Sequence, residues 1–413
     1  PPAPEPAAPA EGESYARSYH FKGFIYERPS ATARVLGVVR PGGYTPVDDR
    51  TSGTGCRRGT WYAVRPSGFA CTRKGFTVTS NPIQSRGAFV EPDAKRPLPY
   101  RYAEITTDGA PRFQEIPTER EEHLVRKAKE DHLELPDVVS DLMKGIYFIA
   151  IAEVEKTGNR TYYRTVRGKY VRADDAEIYP IYHMRGEALK NRWRLPIAFV
   201  IGEDTKVFRQ IAGDMREVGI AKKHARFPVE GKLRHGGKRY LRVSDGLLVP
   251  AKGVRVARSI ERPEKVPEGR KWVHIDLSRQ TLVAYESERP VYATLVSSGK
   301  EGYETPCGLY QIDHKYLTAT MNGDDPIDGY YEVEEVPWTM YYWNSYAVHG
   351  AYWHNDFGVT RSHGCTNLPP VDARWLYYWS RPRVPENWHA IRRQSGTWVY
   401  FTRNSQQAAS PSG

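Results

Sequence analysis

Methionine is scarce in this 413-residue chain, with five in all, and cysteine is scarcer, with four. No run approaches the roughly 18 apolar residues that a bilayer-crossing helix needs, so no segment reads as a membrane span. Long blocks of like charge are missing as well. The 60 Lys and Arg outnumber 49 Asp and Glu for a net +11, but the densest basic stretch is only Lys222 to Arg226. Nucleic-acid binders concentrate such charge on one element. The surplus therefore reads as solvated surface suited to polyanionic surroundings such as a wall polymer, and no nucleic-acid partner is expected. No His-Glu-x-x-His zinc signature occurs. Neither a metal nor a cofactor is expected.

What is present is turn-forming and aromatic: 35 Gly, 31 Pro and 28 Tyr. That combination favours short strands over long helices, and the length suggests two to four domains. The opening PPAPEPAAPAEGES carries no initiator Met and reads as an extended tether left after removal of an export signal, with a boundary inside a linker as the alternative. Cys56 and Cys71 lie close enough in sequence to bridge a short loop, which suits the periplasm or cell envelope. Two buried free thiols are the other reading.

The expected organisation is mainly β. Residues 1–15 are a linker, and 16–80 a small barrel built on GFIYERPSATARVLGVV and the hairpin GTWYAVRPSGFACT. This pattern resembles bacterial SH3-like domains. Echoes of the hairpin in TYYRTVRGKYVRA and RYLRVSDGLLVPA suggest two further SH3-like units, 145–200 and 201–260, able to dock wall glycan or to act as spacers. Residues 81–144 read as a linker with helices. One starts at Thr118, whose Thr-x-x-Glu spacing forms a capping box, and a second is expected over Leu135 to Lys144. After a linker at 261–270 comes a β-rich domain, 271–393, with a short helix from Val371 to Ser380. A tail, 394–413, completes the chain.

The chemistry concentrates in VHGAYWHNDFGVTRSHGCTNL. Gly364 permits a tight bend that exposes Cys365. A thiol attacks carbonyls as thiolate, so it needs a base. His363, two residues away, is poorly placed for direct hydrogen bonding. His349 ends a predicted strand that folding can carry across to the sulfur, so it is the expected base. A backbone carbonyl would suffice to orient its ring. The N–H groups of Gly364 and Cys365 are the expected oxyanion donors. A zinc site made from His349, His354, His363 and Cys365 lacks ligand spacing, and intact catalytic residues argue against a decayed, purely wall-binding protein.

The same stretch, with its His-Gly and later Ser-His-Gly-Cys-x-Asn, resembles the YkuD-type L,D-transpeptidase signature. TPCG, VPWTMYY and DARWLYYW resemble its flanks. The resemblance implies a mixed-sheet catalytic domain whose cysteine forms a thioester with a peptidoglycan tetrapeptide stem, releases terminal D-Ala, and passes the acyl group to an amine to give 3-3 cross-links. Water or a protein amine as acceptor is the alternative. It further implies Cys365 as nucleophile, His349 as base oriented by the carbonyl of Gly350, and His363 and Gly364 shaping the pocket. Ser362 and Asn367 would hold the loop, with Tyr352, Trp353 and His354 lining the acceptor side. Cys307 stands where the family usually has another residue. Its expected role is a small inert side chain, with a redox partnership to Cys365 the sharper alternative.

Overall fold

A computed structural model describes residues 10, 12–82, 90–325 and 329–403. Most of the expected leader and the end of the expected tail lie outside the described residues. The chain divides into two units. One takes the residues up to Ile181 with Tyr316–Trp338 and Arg383–Arg392; the other takes Tyr182–Lys315, Thr339–Pro382 and the chain from Arg393.

In the first unit, Tyr15–Ser18 pairs with both Tyr44–Thr51 and Phe76–Thr79. Trp61–Val64 bridges Tyr44–Thr51 to Phe69–Cys71. Residues of these short strands and of the paired strands Gly23–Tyr26 and Val35–Val39 (Ile25, Val39, Val47, Val64 and Phe76) point into one small core with Trp388, as in a half-buried sheet. Cys56 and Cys71 form a disulfide across 15 residues. A loop of that size is worth about 3 kcal/mol to so small a core on a chain-entropy model.

The sheet continues through Arg101–Ile105, which pairs antiparallel with Ala176–Ile178. Here the structure draws boundaries the sequence did not suggest. The region read as a linker supplies three of its strands, Arg101–Ile105, Ala110–Phe113 and Val139–Met143. The helix Glu119–Glu130 carries its capping box at Thr118 as anticipated, and seats Val125 and Ala128 inward. The second expected helix is not formed: Val139–Met143 is a strand paired with Ala110–Phe113. Val138 and Val139 favour extended backbone, and Gly145 at φ +100 ends the run. Within this unit Arg40 forks onto the buried carboxylate of Glu335 at 2.6 and 3.2 Å.

In the second unit, seven strands from Ile197–Val200 to Val254–Ala257 form one sheet. Its first strand falls before the expected boundary at residue 200, inside the unit expected to precede it. All four of its residues are buried, because alternation divides them between two cores. Ala198 and Val200 enter the core of this module. Ile197 and Phe199 enter a second core with Trp272, Tyr285 and Phe357. This strand and its neighbour Val254–Ala257, which sends Val254 into the first core and Ala257 into the second, thus fuse the module to the β-rich domain on its C-terminal side.

That domain is built on a six-stranded sheet in the order Glu187–Ala188, Arg289–Leu295, Thr281–Glu286, Lys271–Asp276, Trp398–Thr402, Gly308–Gln311. The segment expected to be a tail therefore holds an interior position, with Trp398–Thr402 parallel to Lys271–Asp276. The expected 261–270 linker is tied down too, with Val266 fully buried. Helix Pro370–Trp379 starts with Pro at its first turn, where the missing N–H costs nothing. It buries Asp372, whose carboxylate accepts from the Gly186 N–H at 2.9 Å and the Tyr292 hydroxyl at 2.7 Å.

Candidate active site

The strand Tyr346–Gly350 pairs antiparallel with the end of the long strand Gly329–Trp343, Met340 opposite Val348. On its other side it runs parallel to Thr366–Leu368, with His349 opposite Asn367. Cys365 comes immediately before that second strand, at the end of the Ser-His-Gly-Cys bend. Gly364 makes the bend with φ +115. Any Cβ there would also sit 2.7 Å from the Tyr346 ring, so conformation and space both call for glycine.

Two hydroxyls fix this bend. Ser362 Oγ accepts the Gly364 N–H at 3.1 Å and donates to the carbonyl of Cys365. Thr305 Oγ1 accepts the Gly299 N–H at 3.0 Å and donates to the carbonyl of Gly364 at 2.7 Å. Backbone bonds between Ser297 and Asn367, and from Lys300 to Ser362, stitch the same two segments together. One expectation is corrected here. The Gly364 N–H is spent on Ser362, so it is not an oxyanion donor in this resting arrangement. Thr305 is a positioning residue that sequence reasoning passed over, although the TPCG turn that carries it was visible.

Cys365 is half-buried and a free thiol. Burial pushes it up to about 11, against a backbone hydrogen bond at Ala347. Its sulfur donates weakly to the Ser345 carbonyl at 3.7 Å. His349 is buried, and burial pulls its imidazole down to about 4, against the bond to Gly350. That bond, Nδ1 to the Gly350 oxygen at 3.2 Å, is informative because a carbonyl can only accept. Nδ1 therefore carries the proton of the neutral ring and Nε2 carries the lone pair. At neutral pH both groups are uncharged.

His354 is buried behind this pair. Its Nδ1 accepts the Asp356 N–H at 3.2 Å, so Nε2 must be the protonated nitrogen. Asn367 Nδ2 lies 2.9 Å from it, while Asn367 Oδ1 is buried without a partner. Two donors cannot bond. The amide turned end for end, with Oδ1 facing Nε2, satisfies that pair and removes the orphan oxygen. Tyr352 is only 1% exposed, packed edge-on against Trp353. It is a core residue, as is His354, so neither lines an accessible acceptor face. Trp353 is half-buried and tilts over His349 at 5.7 Å. His363 is exposed and meets the Tyr303 ring edge-on at 4.8 Å. Cys307 is an exposed free thiol, not joined to Cys365.

Residues 270–400 match the family model for the L,D-transpeptidase catalytic domain, YkuD. This segment is a YkuD-type L,D-transpeptidase domain. None of the curated proteins matches the chain. Among solved structures it is similar to an L,D-transpeptidase from Stackebrandtia nassauensis, at 25% identity and TM-score 0.24, covering 35% of this chain and 63% of that one. The catalytic domain of the E. faecium L,D-transpeptidase is 24% identical with TM-score 0.27, over 32% of this chain and 98% of its own. A Mycobacterium smegmatis L,D-transpeptidase is 16% identical with TM-score 0.26, over 62% and 99%.

Around the YkuD thiol stands a wall of rings that the sequence reading did not assign to the site. Tyr346 stacks on Trp343 at 5.4 Å, Tyr310 tilts toward Trp343 at 5.8 Å, and burial pushes the Tyr342 hydroxyl well up, with the neighbouring Cys365 adding to the shift. From the other side, the seven-stranded module grips the loop that leads from His354 to Ser362. Lys223 Nζ reaches Asp356 at 3.2 Å and Glu203 at 2.7 Å. Arg255 Nε donates to the Gly358 carbonyl at 2.7 Å. At Gly358, with φ +101, a Cβ would sit only 2.5 Å from Ile201. The module that looked like a spacer in sequence therefore buttresses the loop between His354 and Ser362.

Proposed function

We propose that this chain is an exported peptidoglycan L,D-transpeptidase acting through Cys365 and His349. His349 Nε2 takes the thiol proton as sulfur attacks the carbonyl of the third residue of a tetrapeptide stem. The C–N bond to terminal D-Ala breaks, and the same proton leaves on its amine. A thioester remains. The side-chain amine of a second stem then attacks it, His349 takes the amine's proton, and sulfur departs to be reprotonated. The oxyanion formed in each step falls to the Cys365 N–H and to donors brought by the substrate-bound loop, since Gly364 is engaged. Ser362, Thr305 and Asn367 hold the bend.

The observation that carries this reading is the hydrogen bond from His349 Nδ1 to Gly350, on the strand beside the one Cys365 leads into. It fixes the one tautomer able to act as base. Because the thiol sits near 11 and the imidazole near 4, no thiolate–imidazolium pair stands ready. Proton transfer accompanies attack instead of preceding it. The envelope is the site of action in this reading, and the Cys56–Cys71 bridge supports an oxidising compartment. Among the described residues no helix is long and apolar enough to cross a membrane.

The test is intact-mass detection of the acyl-enzyme on a tetrapeptide stem. Addition of the stem acyl group to wild type, its absence from Cys365→Ala, and an amide product with an added amine acceptor are expected. An adduct on Cys365→Ala refutes the assignment. Hydrolysis unaffected by the amine would move the reading to an L,D-carboxypeptidase.

A further inference from the structure

Two open grooves of ≈ 680 and ≈ 560 Å³ abut on the seven-stranded module and share Arg239, Tyr240 and Ala251. The second is lined by Lys232, Arg234, Arg239, Arg255 and Arg258. None of these five has a carboxylate partner among the described residues, whereas Lys206, Lys222, Lys223 and Arg226 of the same module each pair with an acid. The uncompensated charge thus gathers in the second groove, since the first also holds Asp204 and the paired Lys206.

The strand register makes this costly. In the hairpin Arg226–His235/Lys238–Val243, Arg234 stands directly opposite Arg239. Like charges facing each other across a ladder destabilise it, and the Gly236-Gly237 turn, with φ +55 and +73, locks the register. Arg255 adds a partly desolvated guanidinium whose one described bond goes to a neutral carbonyl, Gly358. A local arrangement that opposes folding and has no compensation inside the protein marks a ligand site.

We propose that this paired groove binds an acidic glycan, a linear chain of sugars carrying phosphate or carboxylate groups. Concavity argues against a flat bilayer. Duplex nucleic acid is too thick for grooves of this volume, and no row of exposed rings is present for stacking successive bases. The ring pair Phe208 and Tyr240, 5.7 Å apart and edge-on, supplies apolar floor for a sugar face where the grooves meet. The site does not depend on the Cys365 chemistry. It would hold the catalytic domain against a charged polymer while the thiol works on neighbouring peptides.

The experiment is titration of the full chain, and of Cys365→Ala, with fluorescent oligogalacturonate and with a phosphodiester-linked oligosaccharide. Maltohexaose, single-stranded DNA and vesicles containing one-third phosphatidylglycerol serve as comparators. At least one acidic glycan should bind wild type and Cys365→Ala equally, and weaken as salt rises. Which of the two binds tells phosphate from carboxylate. The double variant Arg234→Gln/Arg239→Gln should lose at least about tenfold in affinity, the size expected from removing charge-assisted hydrogen bonds. Its unfolding temperature should hold or rise, because a repulsion has been relieved. The proposal is overturned if maltohexaose binds as well, if DNA or vesicles bind more tightly, if neither acidic glycan binds, or if the double variant binds like wild type.

Discussion

Replacing Thr305 by Val keeps the shape of a side chain that is fully buried and removes only its hydroxyl. The Gly299 N–H then loses its acceptor and the Gly364 carbonyl its donor. Each buried backbone group left unpaired costs about 1–3 kcal/mol, so the pair should cost about 3 kcal/mol. The bend has a cheaper outlet than global unfolding. Gly364 can swing so that its carbonyl finds water, and Cys365, bonded directly to it, moves too. If that outlet takes most of the strain, the rate of acyl-enzyme formation falls about a hundredfold, while the unfolding temperature drops by only a few degrees. Single-turnover acylation followed by intact mass, alongside thermal unfolding, measures both quantities. Thr305→Ser keeps the oxygen and should acylate within about threefold of wild type. A folded Thr305→Val enzyme acylating at the wild-type rate would refute the claim that this hydroxyl positions the nucleophile.

Alkylation of Cys365 by iodoacetamide in the absence of substrate should keep accelerating beyond pH 10, because burial holds the thiol near 11; a plateau near pH 8 would show a thiolate already poised. Double substitution Lys223→Ala/Arg255→Ala frees the loop from Asp356 to Gly358 and should slow acylation about tenfold, with no change in the mass of the adduct formed. Arg40→Leu leaves the carboxylate of Glu335 buried: burial alone would raise it and Arg40 holds it low, so the first unit should lose about 3–5 kcal/mol by denaturant unfolding. Stability should also fall on acidification from pH 6.5 towards 4. Burial depresses His224, His274, His349, His354 and His389 to between about 3 and 4, so their unfolded forms bind protons first. Glu334 and Asp372, raised by burial to about 7 and about 6, act in the opposite direction below pH 7. The balance at pH 5 is an uptake of about three protons on unfolding, which the pH dependence of the denaturant midpoint reads directly.

The Ser-His-Gly-Cys bend was legible because its demands are local. A bend needs Gly364, and a strand ending in His-Gly puts the ring of His349 beside a carbonyl that can orient it. The capping box at Thr118 was legible for the same reason. What escaped depended on partners distant in sequence. Val139–Met143 could be read as helix or strand, and only its pairing with Ala110–Phe113 decides. Tyr352 and His354 carry polar atoms next to the signature, which invites a binding role, yet tertiary packing buries both. The grip of Lys223 on Asp356 spans 133 residues, and no periodicity announces it.

Trp398–Thr402 lies between Lys271–Asp276 and Gly308–Gln311, so a piece synthesised after nearly all the rest of the domain occupies the middle of its sheet. A nascent chain that has not yet delivered residue 402 presents one strand with a bare edge and another with nothing to hold it. Maturation of the domain is thereby tied to delivery of its final strand, and shortened products ending before it should be inert.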